Sequence, residues 1–198
     1  MIVVFDLDGT LIDAAKLHSE ILFELLGERI QPNEIYKSSS LRFLLMENLP
    51  KKRWSSIKDI TRKHEAELLK RIELIEPMPG LYKMLEKVNL KKVIFTSATK
   101  KLCNAMTKYC MIKGYFEMVV TSNDVGREKP DPEGLFKISE ELKDSSLVFI
   151  GNSEKDLLAA KKFGAISVLF NPKNNVKAVS DFEVTNLNEI PDLIDSLS

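Results

Sequence analysis

The chain begins with an apolar run, residues 2–5, which is followed at once by two acids, Asp6 and Asp8. A run this short, rich in β-branched residues and without polar alternation, predicts a strand buried on both faces, as in a parallel sheet. In such sheets ligands bind beyond the carboxyl ends of the strands. Because side chains alternate with a period of two, Asp6 and Asp8 are expected to stand together at that crevice. The alternative is a solvated turn, since Asp and Gly are common turn residues.

Length and composition fit a soluble globular protein of one domain, with or without an insertion. The 198 residues are 44% hydrophobic and include 29 basic and 29 acidic side chains. This balance gives no reason to expect nucleic acid or a membrane as a partner. No apolar stretch is long enough to span a bilayer, and no secretory signal is visible. Cys103 and Cys110 match no metal-binding spacing, so we expect buried thiols in a cytoplasmic protein. We expect a monomer or a weak homodimer.

A block of about sixty residues after Asp13 has helical periodicity and contains no strand candidate. Three helices are predicted, over residues 17–27, from the serine cluster 38–40 to residue 49, and from about Arg53 to residue 76. We therefore predict an all-helical insertion at residues 14–78.

From residue 79 onward, strand and helix patterns alternate. Such alternation implies right-handed crossovers and a parallel sheet with helices on both faces. Residues 1–13 and 79–198 are therefore predicted to form a three-layer α/β core. The further predicted strands are 92–95, 118–121, 147–150, 166–170 and 182–184, and the predicted helices include 81–88, one that ends at Gly114, one that ends at Phe163 and a closing helix at 190–197.

Polar residues follow the carboxyl ends of several predicted strands. Thr96 and Ser97 follow the second strand of the core, Lys129 lies beyond the third, and Asn152 and Asp156 follow the fourth. In a parallel sheet these ends share one edge, so the residues are expected to converge. Carboxylate, carbonyl and amide oxygens suit Mg²⁺, and a phosphoryl group needs a cation and hydrogen-bond donors. The set therefore favours a phosphoryl site over a solvated turn for the opening acids.

Four motifs in this order make the sequence resemble the haloacid dehalogenase-like superfamily of phosphohydrolases: DLDGT at 6–10, VIFT at 93–96, KPDP at 129–132 and GNSEKD at 151–156. The pairs Pro79-Gly80 and Tyr115-Phe116 are similar to the branch that contains phosphoglycolate phosphatase and β-phosphoglucomutase. The resemblance spans nearly the whole chain. It implies a Rossmann-like core, with residues 14–78 as a small helical cap that closes over the crevice.

The resemblance also implies a Mg²⁺-dependent phosphatase that hydrolyses a small phosphorylated metabolite. Asp6 would be the nucleophile that forms an aspartyl-phosphate, and Asp8 would be the general acid and then the general base. Thr96 would donate a hydrogen bond to the phosphoryl group, and Lys129 would offset negative charge. The Mg²⁺ would be held by Asp6, the backbone carbonyl of Asp8, Asn152 and Asp156.

Thr10, His18 and Ser97 are further candidates for substrate binding. His18 has the offset from Asp6 of a hinge histidine in the sugar-phosphate mutase relatives. Ser97 could serve as the phosphate-binding hydroxyl or could cap the next helix. His64 lies on an apolar helix face, and we interpret it as a packing residue.

One position departs from the family pattern, because Asn152 stands where the family usually has a metal-binding Asp. An amide oxygen can bind Mg²⁺ but contributes no charge. The chain is then either a working phosphatase, in which Asn152 and Asp156 share the metal, or a weakly active or non-catalytic binder of phosphorylated ligands. A sugar phosphomutase, which uses the same residues, is a further alternative. Ser153 and Asp156 also match a capping box, which would give this acid a structural role.

Overall fold

A parallel six-stranded sheet lies at the centre of the structure, a computed structural model that describes residues 1–28, 30–35 and 41–197. In chain order the strands of these residues are β1 (Ile2–Phe5), β2 (Ile12–Asp13), β3 (Glu76–Pro77), β4 (Lys91–Phe95), β5 (Met118–Val120), β6 (Leu147–Gly151), β7 (Ile166–Phe170) and β8 (Phe182–Val184). The sheet order is β5-β4-β1-β6-β7-β8, and β2 and β3 form a separate antiparallel pair. Because β1 is parallel to β4 and to β6 on its two sides, the residues that follow all three strands emerge at one edge.

Helices cover both faces of the sheet, and the expected three-layer α/β fold is confirmed. In chain order the helices of the described residues are α1 (Ala15–Leu26), α2 (Pro32–Ile35), α3 (Leu41–Asn48), α4 (Ile57–Lys70), α5 (Leu81–Lys87), α6 (Lys100–Tyr109), α7 (Glu133–Leu142), α8 (Glu154–Phe163) and α9 (Ile190–Leu197). Val3 and Phe5 of β1 pack with α5, α6 and α9, whereas Ile2 and Val4 pack on the other face with α7 and α8. Burial on both faces explains why β1 has no polar alternation. Within the described ranges, every helix is too short or too polar to span a bilayer.

Helices α1, α3 and α4 share an apolar cluster of their own. Leu22, Leu45 and Ile60 belong to this cluster, whereas Leu17 and Leu68 pack into the core beside the sheet. The two chain crossings between this helical segment and the sheet run side by side, because β2 pairs with β3. The division at residues 14–78 stays a prediction, and the paired crossings lie close to both of its ends.

Several bounds differ from those predicted. The third helix of the segment was expected from about Arg53, but α4 begins at Ile57 because Lys51–Ser56 form a 3-10 helix, and a second 3-10 turn, Ile72–Leu74, follows its end. Apolar spacing of three and four continues through 3-10 turns, so periodicity alone extends the prediction. The predicted start at serines 38–40 lies outside the described residues.

Two further differences lie near chain reversals. The helix expected to end at Gly114 ends at Tyr109, because Met111 adopts a positive φ of 53° and Lys113–Tyr115 form a 3-10 turn. The two-residue strands β2 and β3 were not predicted, since two residues are too few to show a strand period.

Gly134, in the first turn of α7, offers a test of core packing. A Cβ built on Gly134 would lie 2.3 Å from the buried ring of Phe95. We expect Gly134→Ala to lower the free energy of unfolding by about 1–3 kcal/mol, the usual cost of overpacking, although alanine is the better helix former. Urea denaturation followed by circular dichroism measures this change.

The matched control is Gly114→Ala, since nothing lies within 4 Å of a Cβ there. This variant should stay within about 0.5 kcal/mol of the parent. Equal stability of both variants would mean that the Phe95 ring moves away without cost.

Candidate active site

The strand-end residues predicted from the sequence meet at a cavity of about 170 Å³ between the sheet edge and the helical segment. Asp6, Asp8, Thr96, Ser97 and Asn152 line its sheet side. The helical segment contributes four apolar and four polar side chains, which are Ile35, Leu41, Leu44, Leu68, His18, Thr61, His64 and Glu65. Lys129 and Asp156 do not line the cavity, but Lys129 joins Asp6 to Asp156 behind it, so the convergence expected from the parallel sheet is present.

A tight turn after β1 presents the two acids to this cavity. The backbone N–H of Asp6 still pairs with Ile150 of β6, at 2.9 Å. Beyond Asp8 the chain reverses, and Gly9 adopts a φ of 87°, in the left-handed region that glycine tolerates best. The N–H of Gly9 donates to the carbonyl of Ile12 at 2.7 Å and closes the turn. The regular strand β1 thus ends just before the two acids.

The ammonium of Lys129 is the centre of the buried polar network. Its Nζ donates to Asp6 Oδ1 at 2.6 Å, to Asp156 Oδ1 at 2.7 Å and to the backbone carbonyl of Phe95 at 3.1 Å. The side chain has no exposed surface. It also lies 5.2 Å and 5.5 Å from the ring centroids of Phe95 and Phe149, within cation–π range. Three oxygens and two aromatic faces together satisfy a charge that is removed from water.

The two carboxylates that share Lys129 differ in their acidity. Burial, reinforced by the charge of Asp156, raises the pKa of Asp6 to about 6, although Lys129 opposes the shift. The pKa of Asp156 is lowered, because Lys129, Lys155 and hydrogen bonds outweigh its burial. Burial alone would lower the pKa of Lys129, but the two acids overcome it and raise the value. The network therefore stabilises the ionised form of Asp156 more strongly than that of Asp6.

Asp156 also has a structural role, and the predicted capping box is confirmed. Its Oδ2 accepts hydrogen bonds from the backbone N–H of Ser153, at 3.1 Å, and from the Ser153 hydroxyl. Gly151 makes room for this acid, since a Cβ there would lie 2.4 Å from Asp156 Cβ. Both oxygens of Asp156 are thus engaged, one by the helix start and one by Lys129.

Two hydroxyls follow β4 at the cavity wall. Thr96 Oγ1 accepts the backbone N–H of Ala98 at 3.1 Å, so its proton can point to a ligand. Ser97 Oγ is buried and has no hydrogen-bond partner in the part of the chain that the structure describes. The suggestion that Ser97 caps the next helix is wrong, because Thr99 is the N-cap of α6 and accepts from Leu102 at 3.2 Å.

Asn152 lines the cavity, whereas Thr10 is not among its lining residues. The buried hydroxyl of Thr10 donates to Asn152 Oδ1 at 3.3 Å, which fixes the orientation of the amide. Thr10 therefore positions Asn152. Among the described residues, no group of three or more His, Cys, Asp or Glu side chains could by itself hold a metal. The oxygens of Asp6, Asp8 and Asn152 are nevertheless hard donors of the kind that Mg²⁺ prefers, so the cation fits in kind, with an amide in place of one carboxylate.

His18 and His64 extend the site into the helical segment. His18 Nε2 lies 2.7 Å from Asp8 Oδ2, and its Nδ1 lies 3.1 Å from His64 Nε2. Burial and the neighbouring His18 lower the pKa of His64 well below its ordinary value, so His64 is neutral. The interpretation of His64 as a packing residue missed this hydrogen bond. The 46 residues that separate the two rings in sequence give no signal that they meet.

A second contact joins the segment to the sheet. Thr99 Oγ1, at the start of α6, donates to Glu65 Oε1 of α4 at 2.9 Å. Glu65 also lines the cavity. This hydrogen bond and the pair formed by His18 with Asp8 connect the helical segment to the sheet at the cavity.

Comparisons with known proteins agree with this architecture. The family model of haloacid dehalogenase-like hydrolases matches residues 3–170. The phosphoglycolate phosphatase of Aquifex aeolicus is 28% identical over 179 residues, which cover 85% of this chain and 83% of that protein. Pyrophosphatase PpaX of Halalkalibacterium halodurans is 26% identical over 173 residues, 82% of this chain and 79% of its own.

Solved structures show the same fold. A haloacid dehalogenase-like family hydrolase from Streptococcus pneumoniae superposes with a TM-score of 0.81 at 18% identity, covering 98% of this chain and 97% of its own. A haloacid dehalogenase-like protein from Agrobacterium tumefaciens gives a TM-score of 0.79 at 17% identity, with coverages of 99% and 98%. At these identities the likeness concerns the fold alone.

Replacing Lys129 tests the buried network. Lys129→Met would leave Asp6 and Asp156 facing each other without their shared cation. We expect the free energy of unfolding at pH 7 to fall by about 3–5 kcal/mol, as for other broken buried ion pairs. Urea denaturation measures the loss, with Lys162→Met, an exposed lysine of α8, as the control. The loss should shrink at pH 5, because protonation relieves the repulsion, and an equal loss at both pH values would contradict an electrostatic cause.

Replacing His64 tests whether burial holds its ring neutral. An unfolded histidine titrates near its ordinary pKa of 6.5, and folded His64 does so well below it. Between these values the unfolded chain binds more protons, so stability is lost as the pH falls below about 6.5, by up to about 1.4 kcal/mol per pH unit. His64→Gln should weaken this pH dependence. Urea denaturation between pH 7.5 and 5.5 compares the two slopes, and identical slopes would refute the assignment.

Proposed function

The chain belongs to the haloacid dehalogenase-like hydrolases, and we propose that it is a Mg²⁺-dependent phosphatase that hydrolyses a small phosphorylated metabolite through an aspartyl-phosphate. The observation that carries this proposal is the buried Lys129, which donates to Asp6 at 2.6 Å beside a cavity that Asp8 also lines. A carboxylate held next to a fixed cation, with a second carboxyl one strand period away, suits attack on a charged phosphoryl group.

In the first half of the reaction, a carboxylate oxygen of Asp6 forms a bond to phosphorus while the bond from phosphorus to the leaving oxygen breaks. Asp8 in its protonated form transfers its proton to that oxygen. His18, whose Nε2 lies 2.7 Å from Asp8 Oδ2, keeps this carboxyl in position. Lys129 offsets the negative charge that gathers on Asp6 and on the phosphoryl oxygens.

In the second half, Asp8 is a carboxylate and accepts a proton from water. The water oxygen attacks phosphorus, the bond to Asp6 breaks, and inorganic phosphate leaves with Asp6 restored. The Thr96 hydroxyl donates to a phosphoryl oxygen throughout, since its own oxygen already accepts from Ala98. The apolar side chains of Leu44 and Leu68 exclude water from the leaving-group side.

Mg²⁺ would be held by the Asp6 carboxylate, the backbone carbonyl of Asp8 and the amide oxygen of Asn152, with Asp156 adding negative charge behind them. A bound Mg²⁺ supplies Lewis-acid stabilisation of the phosphoryl oxygens. Because Asn152 is uncharged, we expect this chain to need more Mg²⁺ than a variant with Asp at that position.

The cavity supports a small substrate. Its volume of about 170 Å³ is well below the roughly 300–1,000 Å³ of pockets for larger ligands. Ile35, Leu41 and Leu44 form an apolar wall opposite the sheet edge. Relatives named phosphoglycolate phosphatase and pyrophosphatase point to leaving groups of this size, so both phosphoglycolate and pyrophosphate belong in a substrate panel with an aryl phosphate and sugar phosphates.

The proposal predicts that phosphate release with Mg²⁺ depends on Asp6. Asp6→Asn keeps the shape of the side chain but removes the nucleophile, so we expect the rate to fall by at least about 10³-fold. A colorimetric assay of phosphate released across the panel measures this loss. The control is Asp13→Asn, which retains the Oδ1 that accepts from the Ala15 N–H, and it should keep the parent rate.

If the parent and Asp6→Asn were equally inactive on every member of the panel, the phosphatase proposal would be lost. A non-catalytic binder of phosphorylated ligands, suggested by Asn152, would then be the better interpretation. Transfer of the phosphoryl group back to a sugar, in place of release, would instead indicate a phosphomutase.

A further inference from the structure

Lys155 lies in the first turn of α8, three residues after Asn152, and its partly buried side chain lines the same cavity. Its ammonium forms no hydrogen bond or ion pair with any residue that the structure describes. The ammonium of Lys129, by comparison, donates to three oxygens. Lys155 is therefore a cation at the cavity whose ammonium has no hydrogen-bond acceptor among the described residues, although its charge helps to lower the pKa of Asp156.

A second donor that lacks a partner among the described residues lines this cavity just after β4. Ser97 Oγ, after β4, is buried and lacks a hydrogen-bond partner within the described chain. Leaving a buried hydroxyl unsatisfied costs free energy, and an ammonium inside a cavity has the same need for acceptors. A ligand that carries several acceptor oxygens would satisfy both groups.

The charges around the cavity repel an anionic ligand less than its acids alone would. Asp6, Asp8 and Glu65 line the cavity with carboxyl groups and Lys155 lines it with an ammonium, while Lys129 and Asp156 form a buried ion pair behind it. Asn152 adds no negative charge. The neutral amide of Asn152 and the ammonium of Lys155 thus act in the same direction, and both keep the repulsion that a phosphoryl dianion would meet low.

We infer that Lys155 and Ser97 bind the oxygens of the phosphoryl group directly, and that Lys155 allows phosphate to bind without a divalent cation. This inference rests on the proposed function, since it assigns two further residues to the phosphoryl site. Lys155 contributes charge-assisted hydrogen bonds, and Ser97 contributes a neutral one.

The test is binding of inorganic phosphate in the presence of EDTA, measured by isothermal titration calorimetry. The parent chain should bind phosphate under these conditions. Lys155→Met keeps the aliphatic stem but removes the charge, and its affinity should fall at least about tenfold, as expected for one charge-assisted hydrogen bond. Lys155→Arg keeps the charge and should retain most of the affinity, and Ser97→Ala should show a smaller loss than Lys155→Met.

Lys162→Met is the matched control, because Lys162 is an exposed lysine at the other end of the same helix. Circular dichroism and thermal unfolding establish that each variant is folded. Equal affinity of the parent and Lys155→Met would overturn the inference, and so would a parent chain that binds phosphate only when Mg²⁺ is added.

These outcomes are separate from those of the phosphatase test. If Lys155→Met loses phosphate binding in EDTA while no metabolite is hydrolysed, the inference stands and the proposed activity fails. If hydrolysis depends on Asp6 but phosphate binding ignores Lys155, the activity stands and the inference fails.

Discussion

The buried ammonium of Lys129 is the interaction on which the carboxyl edge of the sheet depends. It draws together Asp6 after β1, the Phe95 carbonyl at the end of β4 and Asp156 in α8. Removing such a charge from water costs far more than one surface ion pair returns, so the cation persists only because each of these partners is in place. The groups that hold the ends of the strands together are therefore also the groups that would act on a substrate.

That network also explains how two similar acids come to differ. Asp156 has one oxygen on Lys129 and the other on Ser153, at the start of α8, so its negative charge is fully engaged. Asp6 shares Lys129 but lines the cavity, and burial beside another carboxylate raises its pKa. Separation of this kind lets one acid hold the structure while the other remains available for chemistry.

Much of this arrangement could be predicted from the sequence, because it follows from local patterns. The unbroken apolar run at residues 2–5 is typical of a strand buried on both faces. In a parallel sheet, the polar residues that follow each strand share one edge. The capping box of Ser153 and Asp156 is likewise a local signal. The features of the fold that are confirmed thus depend on sequence patterns within one strand or helix, or on the spacing between successive strands.

The remaining features could not be predicted because they join residues far apart in the chain. His18 and His64 meet only because α1 packs against α4, and Thr10 meets Asn152 only because β1 and β6 are neighbours. No pattern within the separate segments indicates that these residues meet. Helix ends were also misjudged where 3-10 turns continue the apolar spacing, as at Lys51–Ser56. Register between elements, and not the pattern within them, determines these contacts.

The uncharged side chain of Asn152 lies beside charged neighbours at the cavity. Considered alone, an amide in place of an acid weakens the case for a cation site. In the structure it lies just before the helix turn that presents Lys155, and both residues line one cavity. Electrostatic stabilisation of an anion depends on the total field at its oxygens, to which a metal ion and an ammonium both contribute. The effect of an uncharged Asn152 on an anion in this cavity therefore depends on Lys155 and on the buried pair of Lys129 and Asp6.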